Sequence, residues 1–212
     1  MNVSERNRAL YAKFLNFKPS RGDERRLRIL EKTIELIGSG TGIEGTSFES
    51  IGKSLEMLRA HVAYYYPDRE ALIEAAIKLV VSTVQNYTVD HVRKAADEGF
   101  GKVDGFVDGT FAWVRDFPTH PRVILLLYYY ASFNKSYKDL HDRVRRLGAE
   151  RLAATVAEVL PTKKRRQAMS VAKWIQSLLT GHLVDYLTTH STDLETLRKK
   201  SVREIHTYLK TI

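Results

Sequence analysis

The chain contains no cysteine, which excludes disulfides, thiolate-bound zinc, iron–sulfur clusters and thiol nucleophiles, and with them a disulfide-stapled secreted scaffold. Only 5 prolines and 12 glycines occur in 212 residues, too few for a collagen-like or low-complexity chain. Long hydrophobic runs are missing too. The longest, Val123–Ala131, falls far short of the roughly 20 residues a membrane-spanning helix needs, and Met1–Phe17 has no apolar stretch of signal-peptide length. No glycine-rich loop leads into Lys-Ser/Thr, so a phosphate cradle of that type is absent. His182 and Asp185 fall on adjacent faces of one expected helix, Asp90 adjoins His91, and His120 precedes Pro121, but no metal-ligand set or nucleophile–base pair emerges. The expectation is a soluble cytoplasmic protein, not an enzyme, with no metal, cofactor or membrane contact.

What is present is ordinary globular composition, 43% hydrophobic and 28% charged, with a net charge of +9. The distribution of that charge matters more than its sum. Residues 1–30 hold eight Lys/Arg against three Asp/Glu, residues 31–76 four against eight, and residues 77–212 the remaining 22 against 14. The excess therefore sits in an N-terminal arm and in the last two thirds, including the run Lys163–Arg166, which reads as a solvated helix start.

Apolar spacing follows the helical period throughout, and no segment alternates as a strand would. The expected class is all-α, with about nine helices. Leu27, Leu30, Ile34 and Ile37 mark a first helix stopped by Gly38, Gly40 and Gly42. Thr46 or Ser47 caps a short second helix, a third spans Leu58 to Tyr64, and Asp68 caps a long fourth reaching Asp97. Gly99, Gly101 and Gly105 read as a break before a fifth helix carrying Phe106, Thr110, Trp113 and Phe117. A sixth starts near Pro121, and a seventh runs from Lys138 to Leu160. The eighth and ninth carry Ala168 to Tyr186 and Leu194 to Ile212.

Residues 46–66 thus read as two short helices joined by a tight turn, a helix-turn-helix. Such a unit suits duplex DNA: one helix fits the major groove, while hydroxyls and amides at a neighbouring helix start meet phosphate. Over residues 24–80 the sequence resembles the TetR family of bacterial transcription regulators. The matching residues are Gly45, Thr46, Ile51, Lys53, Val62, Tyr65, Tyr66, Pro67 and the string Arg69, Glu70, Ala71, Leu72. The resemblance implies phosphate contacts from Thr46 or Ser47, Tyr65 and Arg69, a DNA contact from Lys53, and base reading from Arg59, Ala60, His61 and Tyr64. Arg59 is the first choice, since a guanidinium pairs bidentately with guanine.

Four departures stand out. Glu56 occupies the turn position where the family prefers glycine, so either the turn bends differently or a non-glycine residue holds a strained backbone. Leu58 replaces a capping hydroxyl, Ala63 replaces a phosphate-gripping tyrosine, and the loop Gly38–Gly45 carries one extra residue. The arm, residues 1–22, offers Arg6, Arg8, Lys13, Lys18 and Arg21, followed by Arg25, as further phosphate contacts. Packing of Leu10, Phe14 and Phe17 on the protein is the competing reading of the same segment.

The domain organisation expected is the arm at 1–22, the helix-turn-helix domain at 23–68, and an effector-binding and dimerisation domain at 69–212. The resemblance implies a ligand-responsive regulator, a repressor, that binds palindromic double-stranded operator DNA as a homodimer through its last two long helices. Phe106, Trp113, Tyr128 and Trp174 are candidates to line a cavity for an unknown small-molecule effector. The alternative is a regulator-like helical dimer that has lost specific DNA binding and serves as a protein-interaction or ligand-sequestering module.

Overall fold

A computed structural model describes residues 21–189 and 191–212. Nine α-helices and no strand occur among them, as the apolar spacing implies. The helices are α1 (Arg21–Gly38), α2 (Phe48–Ser54), α3 (Arg59–Tyr65), α4 (Arg69–Lys94), α5 (Gly101–Asp116), α6 (His120–Ala131), α7 (Lys135–Val159), α8 (Ala168–Thr189) and α9 (Leu194–Thr211). A 3₁₀ segment, Thr162–Gln167, precedes α8. Among the described residues no helix is long and apolar enough to cross a membrane.

Packing gathers these helices into two compact units, and α4 is shared, divided after Thr83. The first unit holds α1 to α3, the first half of α4, and α6. Its core is Ile29, Leu30 and Ile34 of α1, Ile51 of α2, Val62 of α3, and Leu72 and Ile77 of α4, all essentially sealed from water. Burying each such side chain contributes about 1.5–3 kcal/mol. α6 closes the end of α1: a Cβ at Gly38 would lie 2.5 Å from Thr119 Cβ, and Arg122 Nη1 donates to the Gly38 carbonyl at 3.0 Å. A cation thus sits on the negative end of α1, whose own last turn contains none.

The second unit holds the rest of α4, α5, α7 from Asp139 onward, α8 and α9. Val107 and Phe111 of α5, Leu152 and Val156 of α7, Ile175 of α8 and Ile205 of α9 meet in one cluster. Here the structure corrects the expected break. Gly99 does turn left-handed, at φ 59°, and Gly101 opens α5, but Gly105 lies inside it. The reason is contact with α4. A Cβ at Gly105 would stand 2.9 Å from the His91 carbonyl, and one at Gly109 would stand 2.7 Å from Thr88 Cα. Close backbone approach outweighs the roughly 1 kcal/mol that glycine costs in a helix interior. α7 likewise begins three residues earlier than expected, because Asn134 Oδ1 caps it by accepting from Ser136 N at 2.9 Å.

His120, in the first turn of α6, is buried and stacked on Phe117 with ring centroids 4.5 Å apart. Burial disfavours its imidazolium and pushes its pKa down to about 4. Between pH 6.5 and 4 the unfolded chain therefore takes up a proton that the native chain refuses. The stability this residue supports is complete above pH 6.5 and falls, by about 3 kcal/mol in all, as pH drops towards 4. Urea unfolding at pH 7 and 4.5 should show a steeper acid loss in the parent chain than in His120→Phe, and equal losses would refute this.

Candidate nucleic-acid interface

α2 starts at Ser47, whose Oγ accepts from Ser50 N at 3.1 Å while Ser50 Oγ accepts from Ser47 N at 2.8 Å. This reciprocal pair satisfies two amides at the helix start. Thr46, the other hydroxyl considered for phosphate, is buried and donates to the Gly42 carbonyl at 2.8 Å. Ser47 is thus the more accessible of the two.

The turn between α2 and α3 rests on two residues. Gly52 brings the chains together: a Cβ there would stand 2.7 Å from the Met57 carbonyl, and the Gly52 carbonyl accepts from Met57 N at 2.8 Å. Glu56 turns the backbone at φ 56°, the left-handed region, which settles the choice left open by the sequence. The turn keeps the geometry that suits glycine, and a glutamate bears the strain. Gly52 was not singled out beforehand, although a glycine within a seven-residue helix is the signal that could have done so.

α3 carries no side-chain cap at Leu58, as the substitution there implied. Within the helix only Val62 is buried, and it anchors α3 on the core. Arg59, Ala60, His61 and Tyr64 are all exposed, Tyr64 at 83%. Lys53 is exposed at the end of α2. Tyr65 is half-buried, edge-on to Tyr64 at 5.2 Å, with the Arg26 guanidinium 5.8 Å from its ring centroid. Tyr66 turns inward and its hydroxyl donates to the Arg26 carbonyl at 3.3 Å. Arg21 and Arg25 are exposed in the first turns of α1, whereas Arg6, Arg8, Lys13 and Lys18 lie outside the described residues.

Arg69 has a second task beyond the one expected of it. Its Nε donates to the Thr46 carbonyl at 2.9 Å and its Nη2 to the Ile43 carbonyl, so it fastens the loop before α2 to the start of α4. Asp68 caps that start, its Oδ1 accepting from Ala71 N at 2.8 Å.

The aromatic candidates for an effector do not share one environment. Trp113 is 2% exposed, Phe106 packs on the second unit's core, and Trp174 lies against Tyr208 with centroids 4.2 Å apart. Tyr128 is a half-buried residue of α6, in the first unit. His182 finds partners other than Asp185. Its Nδ1 meets Ser201 Oγ at 2.7 Å and its Nε2 meets Glu204 Oε2 at 3.2 Å, but Ser201 is fully buried, so its hydroxyl serves the α8–α9 contact. Among the described residues no cluster of His, Cys, Asp or Glu could hold a metal ion.

Two short helices at a tight turn, followed by a helical body, define a helix-turn-helix fold. No family profile matches the chain. The HTH-type transcriptional regulator BetI of Burkholderia thailandensis is 23% identical over 164 residues, covering 74% of this chain and 83% of the relative. A TetR transcriptional regulator from Legionella pneumophila superposes at a TM-score of 0.69 with 19% identity, over 91% of this chain and all of that one. A TetR-family member from Streptomyces coelicolor reaches 0.63 with 20% identity, over 85% and 97%. A protein from Saccharomonospora viridis, solved in complex with choline, reaches 0.69 with 18% identity, over 86% and 96%. The chain has the TetR-family fold, in keeping with the resemblance carried by residues 24–80.

The strain at Glu56 is open to direct measurement. Leaving the left-handed region costs a non-glycine residue nothing, and holding it costs about 1–2 kcal/mol, against which glycine loses about 0.5–1 kcal/mol of entropy. Glu56→Gly should therefore raise the melting temperature by a few degrees. A lowered value would show that the Glu56 side chain makes a compensating contact.

Proposed function

We propose that the chain is a ligand-responsive, TetR-type transcriptional regulator that binds operator DNA. One observation carries the proposal: α3 is held by Val62 alone and turns Arg59, Ala60, His61 and Tyr64 to solvent. In a groove, those four side chains reach base edges. Lys53, Ser47 and Tyr65 flank them as phosphate contacts, with Arg21 and Arg25 at the start of α1. Arg69 acts chiefly by shaping the loop that presents Ser47. The relatives' names as regulators support the reading, and the choline complex of one structural neighbour supports a small-molecule effector. The action is that of a cytoplasmic bacterial repressor, released when the effector favours a spacing of recognition helices that no longer fits the duplex.

A seven-residue helix reads few bases, so two copies spaced by about 34 Å are needed for a selective site. The homodimer forms through α8 and α9. Their main stripes, Ile175 and Leu179 on one and Leu197, Ile205 and Leu209 on the other, are spent inside the chain's own core. Apolar side chains left to a partner include Met169 and Tyr208, each 37% exposed, and half-buried Trp174 and Leu178.

A gel shift against DNA flanking the gene should give sequence-selective retardation at physiological salt. Arg59→Ala should cost about 1–3 kcal/mol of selectivity at one base pair and leave non-specific binding intact. Retardation that is indifferent to sequence would remove the reading. Separately, light scattering should give twice the chain mass, and Met169→Glu with Tyr208→Glu should halve it without loss of helical circular dichroism. An unchanged dimer would place the interface elsewhere.

A further inference from the structure

The second unit contains a cleft of about 450 Å³, within the size range of small-molecule sites, that the DNA-binding reading does not use. Three helices line it. α5 supplies Asp108, Phe111, Ala112 and Arg115; α4 supplies His91; the first turns of α9 supply Leu194, Glu195 and Arg198. Asp108 and Arg115 are seven residues apart, so they share one side of α5 at a separation of about 10 Å, with Ala112 between them. The strip reads acid, apolar, base.

The acidic end is rigid. Arg198 Nη1 donates to Asp108 Oδ1 at 2.7 Å, and its Nε and Nη2 donate to the two Glu195 oxygens at 2.9 Å each. One guanidinium thereby holds two carboxylates; Lys199 approaches Glu195 only at 3.7 Å. Asp108 keeps its second oxygen for another donor. His91 Nδ1 lies 2.8 Å from the Tyr87 carbonyl, which can only accept, so that nitrogen carries the proton and Nε2 of the neutral ring keeps its lone pair. At the basic end Arg115 spends its Nε on Asp116 Oδ1 at 2.8 Å, and its two Nη groups remain a fork of the shape that takes a carboxylate.

We infer that this cleft binds a small zwitterion of the ω-amino carboxylate type. Its ammonium sits on Asp108 Oδ2 and His91 Nε2, its methylenes on Ala112 and Leu194, and its carboxylate on Arg115. The pattern of charge sets the choice, because a plain cation leaves the Arg115 fork empty and a plain carboxylate leaves both acceptors empty. Occupancy of the cleft does not depend on DNA binding, whereas its standing as the effector site rests on the regulator reading.

Calorimetry on the full chain, without DNA, with 6-aminohexanoate, hexanoate and hexylamine decides the matter. The zwitterion should bind at least tenfold more tightly than either single-charge analogue. Arg115→Gln should abolish its advantage over hexylamine. His91→Phe, which leaves the Arg198 cluster intact, should reduce its advantage over hexanoate, and Asp108→Asn should remove that advantage if the chain still melts cooperatively. Equal binding of the three probes, no saturable binding at all, or a preference that survives Arg115→Gln overturns the assignment. Failure of the gel shift alone leaves this result standing.

Discussion

The first unit depends on how closely α3 can approach α2, and that approach is set by an atom that is missing. With no Cβ at Gly52, the Met57 carbonyl passes within van der Waals reach of the α2 backbone, and Met57 N closes the turn onto the Gly52 carbonyl. Glu56 then has to reverse the chain in a left-handed conformation. With the turn held in this way, a single buried valine is enough to seat α3, and the rest of that short helix is left to solvent. Exposure of that side of α3 and tightness of the turn are two aspects of one constraint.

The same device recurs on a larger scale in the second unit. Gly105 and Gly109 let α5 lie against the backbone of α4 around Tyr87, Thr88 and His91. That contact places His91 beside Asp108 and gives the cleft its third wall. Glycine therefore decides two helix–helix distances in this chain. In both cases it works by removing bulk, with the backbone dihedrals still helical.

Polar side chains complete what close packing begins. Arg69 holds the loop before α2, Arg122 closes the end of α1, and Arg198 gathers two carboxylates. Each ties together elements far apart in the chain, so each guanidinium looks like an ordinary surface charge in the sequence. Arg69 illustrates the point: the motif assigned it to phosphate, and its position in three dimensions gives it two carbonyls as well.

The all-helical class, the helix order, a hydroxyl cap at Thr46 or Ser47, the cap at Asp68, and the α2–turn–α3 unit were legible in the residues alone, because apolar period, capping oxygens and turn residues act over a few positions. The family resemblance, and not the local period, pointed to Arg59, His61 and Tyr64, which are exposed on α3. Whether Gly105 breaks a helix or packs one was decided by α4, which a reading along the chain cannot see. Tertiary structure also determined that the expected effector aromatics have separate surroundings, that α6 packs in the first unit, and that Asp108, Arg115 and His91 line one cleft. Those outcomes depend on distances between helices, which the close-packed interior sets and the order of residues does not.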